Sequence, residues 1–265
     1  MYTGQIISPR SMRTNLLLLA GRGKRFSDAG HKTPKPLIEV DGKPMVIASA
    51  RHLPPAEKLI FVVSGNLANN TDLYKLLKTE FPSCEIITQK SPLLGQAHSA
   101  LEAKSAIDPE SELTIASCDA GPIYSVNEWE KAFHDPKTDS LVWSFRHYPP
   151  QDTYPSAYSW IDVDENNFVK KVQYKTPISD RPFFDHAVVG WFSYKKAKNC
   201  FGNITKMLEK NIKTGLEFSL DECTNVLIQN NLKVKIFEIA VFKSWGTPNE
   251  LKTYKYWQKY FLNKH

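Results

Sequence analysis

Short apolar runs alternate with amphipathic stretches through the first half of the chain. Residues 15–19 end in four consecutive leucines, and Gly21 and Gly23 follow. That pattern predicts a buried strand running into a glycine loop. Gly42-Lys43-Pro44 predicts the opening of a helix over 45–53, with Pro in its first turn. Further strands are predicted at 59–64, 84–88 and 113–117, and helices over 71–79, 95–106 and 126–133. Leu73, Leu76 and Leu77 share one face of the 71–79 helix. Strand and helix in strict alternation give a parallel sheet covered by helices on both faces. In such sheets ligands bind beyond the carboxyl ends of the strands. The polar motifs after Leu19 and after Ser117 both fall there.

The texture changes from Ser140 onward. Strand-like stretches at 141–145, 159–163, 168–174 and 187–194 have less helix between them. Asp164-Glu165-Asn166-Asn167 predicts the turn of a hairpin. Helices are predicted over 195–211, 220–230 and 248–262, with a strand over 234–239. No internal repeat is visible, and Pro149-Pro150 to Pro155 is a loop rather than a linker, so one continuous mixed α/β unit is expected over 14–265. Residues 1–13 carry Arg10 and Arg13 with little apolar content and are expected to form a flexible N-terminal tail.

Composition narrows the class. A chain of 265 residues that is 42% hydrophobic and 12% aromatic can bury a large core, which excludes whole-chain disorder. The apolar run at 16–20 is too short to cross a bilayer and makes a poor signal peptide, so a cytoplasmic protein without a membrane partner is expected. Cys84, Cys118, Cys200 and Cys223 are far apart and form no CxxC pair, as expected of reduced, buried thiols. A net charge of +6 suits an anionic small substrate; no basic stripe marks a nucleic-acid site.

Three segments carry candidate chemistry. In Ala20-Gly21-Arg22-Gly23-Lys24-Arg25, followed by Lys35-Pro36-Leu37, a tight glycine loop exposes backbone N–H groups beside several cations. That combination suits a triphosphate, with Arg25 able to donate as a bidentate fork. It matches neither G-x-G-x-x-G nor a Walker loop, and a glycine turn with solvated basic residues explains the loop equally well in isolation. Asp119, just past a buried strand, can hold a divalent ion or cap the turn before Gly121-Pro122. Gln89 can read a base edge, and Gly95 can admit a ring or ribose at a helix start; an ordinary helix N-terminus is the alternative. His98 reads as a helix-surface residue.

Taken together, these residues resemble the nucleotidyltransferases that make nucleotide sugars and related activated phosphates. The opening signature of that family is an apolar strand, Ala-Gly-x-Gly-x-Arg and then Lys-Pro-Leu. It stands here at 20–25 and 35–37, and continues as Val40-Asp41-Gly42-Lys43-Pro44-Met45. The resemblance implies a three-layer, Rossmann-like α/β fold with a mostly parallel mixed sheet and a smaller β-rich acceptor portion. It also implies a nucleotide-binding part at 14–135 and an acceptor-binding part at 136–265. Ala20, Gly21, Gly23 and Arg25 would hold a nucleoside triphosphate, with Lys35 by the reacting phosphates. Gln89, Gly95 and Gln96 would meet the base, and Asp119 would bind Mg²⁺. Lys175, Gly190 and Glu217 would contact a phosphorylated small-molecule acceptor.

The sequence also departs from the family pattern. Ser244 stands where many relatives have an Asp as second metal ligand, so either another acid serves, with Asp221 a candidate, or ligand and water hold that ion. Gln96 and Cys118 replace smaller residues. The implied reaction is magnesium-dependent transfer of a nucleotide from CTP or UTP to a sugar phosphate, releasing pyrophosphate for surface-polysaccharide precursors. Non-sugar phosphates such as phosphocholine, glycerol phosphate or a phosphorylated amino-acid amide are the alternative acceptors, and a homo-oligomer stays open. A glycosyltransferase would need Asp-x-Asp where Cys118-Asp119-Ala120 stands, and a nicotinamide enzyme would need a third glycine. A non-catalytic nucleotide-binding module is the remaining rival.

Overall fold

The leucine run at 16–19 lies in β1 (Arg13–Leu19), all of whose residues are buried at the middle of a nine-stranded sheet. The computed structural model describes residues 12–19, 21 and 23–262. Along the first half the elements are α1 (Lys24–Asp28), β2 (Glu39–Val40), β3 (Lys43–Pro44), α2 (Met45–Ala50), β4 (Lys58–Val63), α3 (Thr71–Glu80), β5 (Glu85–Thr88), α4 (Gln96–Ala100), β6 (Glu112–Ser117), β7 (Ala120–Ile123) and α5 (Val126–Phe133). The second half adds β8 (Ser140–Phe145), α6 (Pro150–Thr153), β9 (Ser159–Val163), β10 (Val169–Tyr174) and β11 (His186–Tyr194). It ends with α7 (Ala197–Glu209), α8 (Leu220–Gln229), β12 (Val234–Glu238), β13 (Val241–Ser244) and α9 (Pro248–Leu262).

β1 pairs in parallel with β4 and β6, and β4 with β5. Side chains alternate across the pleat, and both faces are covered. Leu16, Leu18, Ile60 and Val62 pack under α7 and α8 with Ile204, Met207, Val226 and Leu227. Leu17, Leu19, Phe61 and Val63 pack on the opposite side against residues of α2, α3 and α5, including Ile47, Leu73 and Trp129. The result is the expected three-layer α/β architecture.

The direction changes at β11, which is antiparallel to β6, β8 and β9. One edge of β11 pairs with β9 at its start and with β6 at its end, and its register on β8 shifts between Val188 and Phe192. Gly190, in the left-handed region at φ 91°, lies within that shift. β9 and β10 form the expected hairpin, with Asp164 Oδ1 accepting from the amides of Asn166 and Phe168, each at 2.9 Å.

Several boundaries differ from expectation. Arg13 belongs to β1 rather than to a tail: it is 5% exposed, and its guanidinium bonds Glu112 at 2.6 Å and Glu130 at 2.5 Å. A buried cation needs such partners, and neither is near in sequence. The rest of the expected tail, 1–11, lies outside the described residues. The helix expected over 95–106 is α4 followed by a 3₁₀ stretch from Leu101 to Ala106. The β7–β13 ribbon and the β2–β3 hairpin were not expected. Asp41 and Gly42 turn that hairpin at φ 52° and 71°, the backbone of a two-residue primed turn. The four cysteines are buried and unbridged. Among the described residues no helix is long and apolar enough to cross a membrane.

Candidate active site

The glycine loop after β1 leads straight into α1. Gly23 caps that helix in the left-handed region (φ 63°), and its carbonyl accepts from the amides of Phe26 at 2.9 Å and Ser27 at 3.2 Å. Phe26, 2% exposed, is fixed in a small apolar cluster with Val40, Met45 and Trp245, while Arg25 is exposed toward the cleft. Lys35 opens a single 3₁₀ turn stiffened by Pro36. Its ammonium lies 5.5 Å from the Phe26 ring centroid and donates to Asp119 Oδ2 at 2.5 Å and to the Gly246 carbonyl at 3.3 Å.

Asp119 sits between β6 and β7, and its carbonyl accepts from the Trp245 amide at 2.9 Å. Burial pushes its carboxyl upward, but the Lys35 charge and hydrogen bond outweigh this and hold it below the usual carboxylate range. For Lys35 burial pulls downward, and the charge of Asp119 leaves the ammonium above its ordinary value. The pair is therefore ionic at neutral pH. Burial, aided by the neighbouring Asp119 charge, pushes the Cys118 thiol up to about 12, so Cys118 is no nucleophile.

A cleft with two adjoining lobes opens at this point. A lobe of about 320 Å³ is bordered by Gly21, Lys35, Gly95, Gln96, Asp119 and Glu217. A lobe of about 720 Å³ is bordered by Gly23, Arg25, Lys35, Asp119 and Glu217 together with aromatic side chains. Arg25 and Asp119 thus face one cavity, as the triphosphate reading requires. Three expected residues do not border either lobe. Gln89 is 3% exposed; its Nε2 donates to the Pro92 carbonyl at 3.2 Å, and its Oε1 has no partner. Lys175 follows β10 at φ 54°, its ammonium 4.8 Å from the Tyr174 ring centroid, and Tyr174 rather than Lys175 reaches the cleft. Gly190 lies behind Ser117, whose Oγ would stand 3.1 Å from a Cβ there. Ala20 lies outside the described residues.

The family model for the MobA-like NTP transferase domain matches residues 16–150, from β1 through the cleft-forming loops to the start of α6. The chain belongs to that family. A search of curated proteins finds no match. Among solved structures, a nucleoside-diphosphate-sugar pyrophosphorylase from Vibrio cholerae RC9 superposes with a TM-score of 0.70 at 18% identity, over 90% of this chain and 98% of that one. The inositol-1-phosphate CTP transferase from T. maritima gives 0.70 at 19% identity, over 92% and 94%. HddC from Yersinia pseudotuberculosis gives 0.67 at 16% identity, over 91% and 97%. At these identities the likeness is one of fold.

In this NTP transferase Gly95 is required by the chain's own backbone. At φ 122° a Cβ would stand 2.4 Å from the Phe218 carbonyl oxygen and 2.7 Å from its nitrogen. The Phe218 amide donates to Leu94 at 2.8 Å, and the Ala97 amide donates to Phe218 at 3.0 Å. This backbone clasp seats Glu217 at the cleft, and Gly95 itself borders the smaller lobe.

Sequence reasoning missed Tyr158, Phe242 and Glu250 in the larger lobe and Ser219 in the smaller. Glu250 and Ser219 had a local signal, the capping-box pattern: the Glu250 amide donates to Thr247 Oγ1 at 3.2 Å and that hydroxyl donates to Oε2 at 2.9 Å, while Ser219 caps α8 and its Oγ accepts from the Glu222 amide at 3.1 Å. Tyr158 OH donates to Oε1 at 3.0 Å.

Among the described residues no three His, Cys, Asp or Glu side chains group as a metal site. Three side-chain oxygens nevertheless gather around Gly246. A Cβ placed there would meet Asp119 Oδ2 at 3.5 Å, Glu250 Oε2 at 3.5 Å and Ser244 Oγ at 3.8 Å. Ser244 is 7% exposed. Asp221 is less suited: burial raises its carboxyl, and Ser159 Oγ donates to it at 2.5 Å.

Proposed function

We propose that the chain transfers a nucleoside monophosphate from a pyrimidine nucleoside triphosphate to the phosphate of a small molecule, a sugar phosphate foremost, releasing pyrophosphate. The observation that carries this reading is the convergence of Arg25, Lys35, Asp119 and Glu217 on one cleft at the carboxyl ends of β1 and β6. A phosphate oxygen of the acceptor attacks the α-phosphorus. One P–O bond forms there, and the bond to the bridging oxygen breaks with its electron pair leaving on pyrophosphate. The attacking phosphate is already anionic, so the protein's task is positioning and charge neutralisation. Arg25 and the glycine-loop amides hold the triphosphate. Lys35 turns from Asp119 toward the reacting phosphates as they arrive, and Glu217 orients an acceptor hydroxyl.

Asp119 and Glu250, with the Ser244 hydroxyl, would hold Mg²⁺, which when bound neutralises developing phosphate charge. Residues 14–135 supply most of the nucleotide contacts in this reading, and 136–265 most of the acceptor contacts. The pyrimidine is CTP or UTP, and the assay below decides between them. The products suit assembly of surface polysaccharide.

Pyrophosphate release measured for CTP, UTP, ATP and GTP against a panel of phosphorylated sugars, polyols and amino alcohols tests the reading. Turnover is expected with CTP or UTP and a sugar phosphate, and not with ATP or GTP. Tight triphosphate binding with no turnover on any acceptor would assign the cleft to a binding protein instead.

A further inference from the structure

Helix α9 touches the rest of the protein along a narrow stripe. Leu251 is 3% exposed, and Tyr254 OH and Gln258 Nε2 both donate to Asp41 Oδ1, at 2.6 and 2.7 Å. These three residues share one helical face. Around the rest of the helix the surface is aromatic and open: Tyr256 is 62% exposed, Trp257 49%, Tyr260 40% and Phe261 60%. Their rings contact one another, with Trp257 stacked on Phe261 at 6.1 Å and edge-on to Tyr256 at 5.3 Å. Beside them Lys252, Lys255 and Lys259 form an exposed flank, and none of the three makes an ion pair among the described residues. No acidic residue occurs between 251 and 262.

Isolated exposed apolar residues need no explanation, but a continuous aromatic face does. A second copy seated on it would bring its own row of lysines toward this one, in a chain already at +6. An anionic surface meets both features at once. Trp and Tyr rings settle at the boundary between headgroups and acyl chains, and lysine stems reach past them to lipid phosphates.

We propose that the outer face of α9 docks on an anionic lipid bilayer, the helix lying in the plane of the surface. Glu250, one residue before the buried Leu251, borders the cleft, so docking sets the cleft beside the membrane. About 16 Å of helix separates Glu250 from Phe261. The inference is independent of the proposed chemistry. It also departs from the expectation of no membrane partner, which rested on the absence of a spanning run.

Co-sedimentation of the full chain with phosphatidylcholine vesicles, with and without phosphatidylglycerol, tests it. Binding is expected only with phosphatidylglycerol, and weaker at high salt. Replacing Lys252, Lys255 and Lys259 together by Gln should weaken it about 100-fold. The double variant W257S/F261S should lose it while circular dichroism and triphosphate binding stay unchanged. Failure to bind phosphatidylglycerol vesicles at low salt would overturn the proposal, as would binding indifferent to both variants. Light scattering that finds a dimer dissolved by W257S/F261S would give the face to a second copy and overturn it equally.

Discussion

The two walls of the cleft are built from opposite materials. The first half of the chain contributes Arg25 and Lys35 on a short stretch closed by backbone hydrogen bonds, with Asp119 the acid among them. The second half contributes Glu217 and Glu250 with the rings of Tyr158 and Phe242, brought together from three distant segments. A basic wall can hold two phosphates that repel each other, and it serves any nucleotide and any phosphorylated acceptor. An acidic and aromatic wall has no general use for phosphate and suits hydroxyl groups and apolar faces. In the proposed function, therefore, the first wall carries the phosphate contacts and the second, apart from Glu250 at the metal, the acceptor contacts.

Substitutions that separate the walls sharpen this contrast. Asp119→Asn should reduce turnover about 10³-fold and weaken Mn²⁺ binding read by electron paramagnetic resonance, with Glu250→Gln weakening it by about tenfold. Unchanged Mn²⁺ binding in both would remove the oxygen set around Gly246 from the account. Gly95→Ala, which sets a methyl group against Phe218, should lower stability by about 3 kcal/mol and displace Glu217. Urea unfolding together with acceptor KM reads both effects.

The halves should also differ in pH response. Lys35 is raised above 10.5 and Asp119 lowered below 3.8, so their stabilisation holds between those values and is lost only outside them. His186, at the start of β11, behaves oppositely. Burial first, and then the Arg146 charge, push its imidazole from 6.5 to about 4. Between these values the unfolded state binds more protons, so stability falls as pH drops through the window and levels off below it. A loss of roughly 3 kcal/mol is expected, measured as a shift in urea midpoint, and His186→Gln should flatten it. The smallest effect belongs to Glu217→Gln: acceptor KM should rise about tenfold with triphosphate affinity unchanged. A fall in triphosphate affinity instead would place Glu217 on the nucleotide side.

The same contrast explains what the sequence revealed. The first wall was legible because its parts are local: four leucines, two glycines and Lys-Pro-Leu lie within 16–37, and hydrophobic period placed Ser117-Cys118-Asp119 at a strand end. The second wall was legible only at Glu217, through the resemblance. Tyr158 and Phe242 become cleft residues because β11 reverses the sheet and β13 pairs with β7, and neither event has a local signature. Gln89 was placed by its side-chain type and the resemblance, and Lys175 by the resemblance; the hydrogen bond to Pro92 and the ring of Tyr174 hold them away from the cavity. Arg13 was read as solvated because its partners lie 99 and 117 residues away.

The central claim is that Arg25, Lys35 and Asp119 form one seat for a metal-bound nucleoside triphosphate. Isothermal calorimetry of CTP binding with and without Mg²⁺, on the unaltered chain and on Arg25→Ala, tests it most directly. The account predicts binding that strengthens with Mg²⁺ and falls about tenfold or more when the Arg25 fork is removed. Binding of CTP that ignores both Mg²⁺ and the loss of Arg25 would contradict it.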